Sequence, residues 1–167
     1  KMKLDNKDLE KQLDRQLELF KQLELEQKLK DTQTKLEDLA KKQNELAEKS
    51  KDKDSDNKQL EGKQDELNKK FDDIKKDISD LEKKNEELEK PHDLPKTTEE
   101  QKEIEKEMNE AKESLGEKKN KKASDAQKKA AQKQEELAQK LENMQKEMQN
   151  EENAEDIDRS EERRVGK

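Results

Sequence analysis

The residues of this chain whose spacing comes nearest to a known chemistry are three aspartates. Asp52, Asp54 and Asp56, in the run DKDSDN, match ligand positions 1, 3 and 5 of a calcium loop. The sixth position of such a loop needs glycine for a sharp turn, and here it is Asn57. The twelfth needs a bidentate Glu, and here it is Lys63. A lysine there removes two ligand oxygens and adds a positive charge. The run therefore reads better as a solvated turn, with a calcium-responsive loop over residues 52–57 as a remote alternative.

Other candidates fall short for similar reasons. His92 is the only histidine, and there is no cysteine, so a structural zinc site and thiol chemistry are both excluded. His92 has no nucleophile arrangement around it and reads as a loop residue between Pro91 and Pro95. Carboxylates are abundant, but general acid-base work needs a water-excluding pocket that separates their pKa values. Three scattered glycines cannot cradle a phosphate. Met144 and Met148 are spaced like an adaptable partner groove but fit an ordinary helix seam better. NKKAS (Asn120 to Ser124) is a small basic cluster diluted by acidic neighbours. The chain is accordingly expected to be no enzyme, with no cofactor, no metal and no small-molecule substrate.

The elements that would carry such residues are helices. Of the 167 residues, 52% are charged, 23% hydrophobic and 1% aromatic. An ordinary globular domain is about 45–50% apolar. One architecture tolerates so little: a long helix that buries only a narrow apolar seam against other helices. Lys, Glu, Leu, Gln and Ala, all good helix formers, dominate the sequence. The expected class is all-α, with long helices forming antiparallel hairpins or a coiled coil.

The seam runs from Leu25 at 4-3 spacing through Leu29, Thr32, Leu36, Leu39, Gln43, Leu46, Ser50, Lys53, Asn57, Leu60, Gln64, Leu67, Phe71, Ile74, Ile78, Leu81, Asn85 and Leu88. A second stripe, Leu4, Leu9, Leu13, Leu17, Phe20 and Leu23, precedes it in another phase, which implies a register adjustment near Leu23 to Leu25. The seam weakens at SKDKDSDNK (residues 50–58), which has no apolar residue and many turn formers. Two readings stand here. A preserved register suits one continuous rod. The composition near 51–57, and an apolar face that can find its partner in the same chain, suit a hairpin turn and weigh more.

PHDLP (Pro91 to Pro95) ends the first region near Lys90 and makes residues 91–96 a linker. Thr97 with Glu100, and Thr98 with Gln101, match capping boxes that restart a helix. Its seam is Ile104, Met108, Ala111 and Leu115, and Gly116 stands where a C-terminal glycine cap belongs. After a break near 116–122, a last helix up to residue 150 carries Ala123, Gln127, Ala130, Gln134, Leu137, Leu141, Met144 and Met148. Residues 151–167 are expected to fray.

The last nine residues depart from the body. Three of the four arginines (Arg159, Arg163, Arg164) and the only valine, Val165, lie there, whereas the body uses lysine. RSEERRVGK (Arg159 to Lys167) resembles the in-frame translation of a common short-read sequencing adapter, which implies foreign residues and a natural chain that continues past Asp158. The chain also opens on Lys1 rather than an initiator methionine, so it is expected to be a fragment, with any anchor upstream.

ELNKKFDD (Glu66 to Asp73), PHDLP, EEQKEIEKEM (Glu99 to Met108) and KNKKASDAQKKAAQKQEELAQKLENMQKEMQ (Lys119 to Gln149) together resemble the coiled-coil region of large, uncharacterised membrane-anchored proteins of Bacteroidetes-type bacteria. The resemblance covers about residues 20–150. It implies an envelope-associated bacterial parent anchored by segments outside this chain, and it assigns no activity to any residue.

Charge narrows the partners. The net charge is -7 with both signs interspersed, which opposes nucleic acid and anionic lipid. No apolar run approaches the roughly 20 residues of a membrane span, so no direct membrane contact is expected. What remains is a structural or protein-interaction segment whose partners are protein helices, its own or another chain's. The alternative is a partly disordered charged segment that folds on a helical partner. The expected contact residues are Leu29, Leu36, Leu39, Leu46, Leu60, Leu67, Phe71, Ile74, Ile78, Leu81, Leu88, Ile104, Met108, Leu115, Leu137, Leu141 and Met144.

Overall fold

The computed structural model describes residues 2–166, with side chains from Asp5 onward, so the side chain of Leu4 lies outside the described part. The fold is all-α. Four helices follow in order: α1 (Met2–Ser50), α2 (Asn57–Glu86), α3 (Thr98–Gly116) and α4 (Asn120–Val165). Among the described residues there is no strand, and no helix is long and apolar enough to cross a membrane.

Helix α1 runs for 49 residues because nothing in it stops a helix: the first glycine is Gly62 and the first proline Pro91. It ends at Ser50, and the chain reverses over residues 51–56. Local bonds build this turn. The Asp52 carboxylate accepts from the Asp54 amide at 3.0 Å, and the Ser55 hydroxyl donates to the Lys49 carbonyl at 2.9 Å. Asp56 caps α2 by accepting from the Lys58 amide at 3.0 Å.

The chain thus forms a hairpin at this point rather than a rod. Lys84 meets Glu24, Asp77 meets Lys28 and Lys35, and Gln64 meets Gln43, so α2 runs antiparallel to α1. Helices α3 and α4 form a second antiparallel hairpin, with Lys133 on Glu103 at 2.5 Å and Lys122 on Glu110 at 3.0 Å. The hairpins pack side by side. Asp65 on α2 takes Lys112 of α3, and the Ser124 hydroxyl of α4 donates to the Ala47 carbonyl of α1. Each helix has two neighbours, α1 lying between α2 and α4 and α3 opposite it. The four seams meet on the common axis as one cluster that includes Leu36, Phe71, Ile104 and Leu137.

Several local expectations are corrected. Helix α2 stops at Glu86, four residues before the expected end, and Leu88, just beyond it, is buried in the core cluster. Thr97 precedes α3 without a capping bond from its side chain. Its hydroxyl instead accepts from the Gln101 amide group at 2.8 Å, and Glu100 is taken by Lys140. Gly116 is not the left-handed cap of α3. That conformation falls on Lys118, at φ 58°, where the Lys119 amide donates to Ser114 and the Lys118 amide to Leu115. The chain after Asn150, expected to fray, continues α4 to Val165 with its side chains largely exposed.

At about 1.5 Å per residue, α1 is roughly 73 Å long against about 45 Å for α2. The surplus projects beyond α2 and α3 in the company of the C-terminal part of α4, whose Arg159 shares clefts with Arg15 and Glu18. The chain leaving α2 meets α1 at Glu18 and Lys21, and N-terminal to that point α1 has neither α2 nor α3 beside it.

A left-handed lysine and a glycine inside α2 give a stability test. Lys118→Gly removes the cost of an L side chain at positive φ, and Gly62→Ala places a methyl where nothing lies within 4 Å. Each is expected to stabilise the chain by about 1 kcal/mol, read as a higher midpoint in thermal and urea unfolding.

Candidate functional site

The seam residues lie in the core. Leu29, Leu36, Leu39 and Leu46 of α1 are buried, as are Leu60, Leu67, Phe71, Ile74, Ile78 and Leu81 of α2. So are Leu88 in the following loop, Ile104, Met108 and Leu115 of α3, and Leu137, Leu141 and Met144 of α4. These residues join the helices of this chain to one another, and Leu39 and Ile74 also line a cleft of about 230 Å3 rimmed by Lys35, Asp38, Lys70 and Asp73. Small side chains, not singled out above, complete the contact of α1 with α4: Ala40, Ala47, Ala126, Ala131 and Ala138 are all buried. The signal for them was alanine at helical spacing, hidden because alanine is also a general helix former.

Polar residues on the seam are divided by the turn. Lys53 is exposed and Asn57 half-buried, whereas Gln43, Ser50 and Gln64 are fully buried. Gln43 and Gln64 exchange two hydrogen bonds, at 2.7 and 3.0 Å, and Gln127 of α4 donates to Gln64 at 3.0 Å. This layer ties three helices at one level and fixes both hairpins in register. Asn57 and Asn120 form a second reciprocal pair where α2 and α4 begin, at 2.7 and 3.1 Å. NKKAS is therefore the start of a helix. Its Asn120 pairs, its Lys122 reaches Glu110, and its Ser124 is buried on α1.

Near the other end the PHDLP segment covers the core. Leu94 packs against the core and Thr97 is buried. His92 is no simple loop residue: its side chain is only 10% exposed. Its amide donates to Asn85 at 2.9 Å, its carbonyl accepts from Asn85 at 2.8 Å, and its Nδ1 lies 2.7 Å from Glu151. The polar seam residue Asn85 was the one sequence signal for this clamp.

Beside it lies a cleft of about 280 Å3 lined by charged residues, among them Glu18, Glu89, Lys90, Glu151 and Glu152. Burial pushes the Glu152 carboxyl above its ordinary range, and Glu26 across on α1 pushes it the same way, while His92 opposes both. Asp77 behaves oppositely. Burial acts to raise its pKa, but hydrogen bonds from Lys28 and Lys35, at 2.6 and 2.7 Å, outweigh that and hold it low.

As for chemistry, the carboxylates of Asp52 and Asp56 serve their own backbone. Among the described residues, no three acidic or histidine side chains converge as a metal set. Met144 and Met148 are buried.

The apolar surface that the bundle does not use lies on the projecting part of α1. Leu9, Leu13, Leu17, Leu19, Phe20 and Leu23 are 54–58% exposed. The expected register adjustment does not occur, because α1 is one unbroken helix. Leu9 and Leu25, sixteen residues apart, sit about 160° around the helix at about 100° per residue, and Phe20 and Leu29 lie on opposite sides. In the phase of the buried seam stand Glu18 and Gln22, which line the cleft. The N-terminal leucine stripe therefore faces away from the bundle.

Two predictions follow from the buried polar groups. Gln64→Leu leaves Gln43 and Gln127 without their partner and is expected to cost about 1–3 kcal/mol. Replacing Gln43, Gln64 and Gln127 together by leucine is expected to recover most of that loss in urea unfolding. Glu152 supplies the pH dependence. A carboxyl whose folded pKa is raised contributes its stability fully below the unfolded value of about 4.5 and loses it as pH rises through the folded value. Glu152→Gln is thus expected to melt higher than the parent at pH 7, with the difference closing by about pH 4.

No protein-family profile, no curated protein and no solved structure matches this chain.

Proposed function

We propose that this chain is a non-catalytic helical scaffold, a spacer or arm that engages other protein helices. The observation that carries this reading is where its scarce apolar material goes. Nearly all of it either closes the four-helix core or forms the outward stripe on α1, and the clefts at the two ends of the bundle are open and lined mostly by charged and polar side chains. Ion pairs stitch the outer faces of the bundle, including Lys128 to Glu48 and Lys75 to Glu105. Exposed pairs of this kind contribute little stability, about 0–1 kcal/mol each, but they keep a long helical surface hydrated.

The resemblance carried most specifically by PHDLP and NKKAS is consistent with such an arm belonging to a larger envelope-associated protein. The alternative of a chain that folds only on a partner is less favoured, because the seams of the four helices bury one another within the chain.

The test is helicity and cooperative melting of the chain alone at low micromolar concentration. High helicity with a single transition is expected, and Ile74→Asp is expected to abolish that transition by burying an unpaired charge at a site 2% exposed. A coil-like spectrum for the parent would sink the scaffold reading, as would a melt that Ile74→Asp leaves unchanged.

A further inference from the structure

We propose that the outward stripe of α1 is the contact between two copies of this chain, paired antiparallel over residues 5–24. This rests on the scaffold reading and names its partner.

The stripe is long, continuous and unsupported by the bundle. Leu9, Leu13 and Phe20 follow at 4 and 7 residues, with Leu17 and Leu23 beside them. Six half-exposed side chains of this size present on the order of 500 Å2 of apolar surface, comparable to the largest patch on a typical monomer, which is often functional. Two such faces, fully covered, would bury about 1,000 Å2, the lower bound for a specific interface and the size of a weak, reversible one.

Charge selects the occupant. Between Asp5 and Leu23 there are four basic and five acidic residues, against -7 for the whole chain. A nearly neutral segment tolerates its own copy, has no basic excess for an anionic lipid surface, and makes no demand for a strongly charged partner.

Charge also selects the direction. In a parallel pair the contact would continue along the same face of α1 beyond Leu23. It would set the two net-acidic bundles side by side, along an α1 face where Glu24, Asp31, Asp38 and Glu45 alternate with Lys41, Lys42 and Lys49. In an antiparallel pair centred between Leu13 and Leu17, Leu9 lies near Phe20 and Leu13 near Leu17. The overlap then ends where the stripe ends, and the two acidic bundles sit at opposite ends of the joint.

The experiment is sedimentation equilibrium of the full chain from low to high micromolar concentration, alongside Leu13→Glu/Leu17→Glu. Both leucines are exposed in the single chain, so the double variant is expected to keep its helicity and melting at low concentration. The parent is expected to form a dimer, and the variant to associate at least ten-fold more weakly. Because the chain has no cysteine, Asn6→Cys carries a single spin label. Antiparallel pairing sets the two labels about 27 Å apart along the axis, whereas parallel pairing sets them level. A parent that stays monomeric, a dimer that survives the double substitution, or a short label distance overturns the proposal. The parent's own helicity and melt report separately on the scaffold reading.

Discussion

The scarcity of apolar side chains governs this molecule. Each helix can bury only a narrow stripe, so a stable core requires all four stripes to face a single axis. That requirement explains the pairing of hairpins. One hairpin alone would leave half of its seam in water, and two hairpins back to back close it. It also explains the alanines between α1 and α4. With few large residues available, close approach of the backbones replaces bulk in excluding water.

The same scarcity gives polar core positions their weight. A glutamine layer contributes little net stability, but three partnered amides at one level penalise any slip of one helix along another, since a slipped amide is left unpaired in an apolar surrounding. Gln43, Gln64 and Gln127 set the level of α1, α2 and α4, and the Asn57–Asn120 pair repeats the device where α2 and α4 begin. His92 and Asn85 do related work near the opposite end of the core, where a proline-bounded segment stands in for helix.

The continuity of α1 has a further consequence. A helix without a break cannot rotate one stretch relative to the next, so a stripe out of phase with the core must face elsewhere. Leu9, Leu13 and Phe20 are out of phase with Leu25 and Leu29, and the bundle-facing positions beside them are the polar Glu18 and Gln22. The division of α1 into a bundle half and an outward-facing half is thus a matter of angle.

The sequence by itself determined the all-α class, the break at the prolines and the stretch of turn formers after Ser50, because helix propensity, seam spacing and turn chemistry act over a few residues. It offered both a hairpin and a rod for Leu25 to Leu88, since an unbroken register is compatible with either. Only the tertiary structure decided that the chain turns, that the two hairpins share one core, that Asn85 holds His92, that Lys118 rather than Gly116 takes the left-handed position, and that the N-terminal stripe points outward. Each of these depends on which surfaces meet across large separations in sequence, and spacing along one helix carries no information about the helix that will face it.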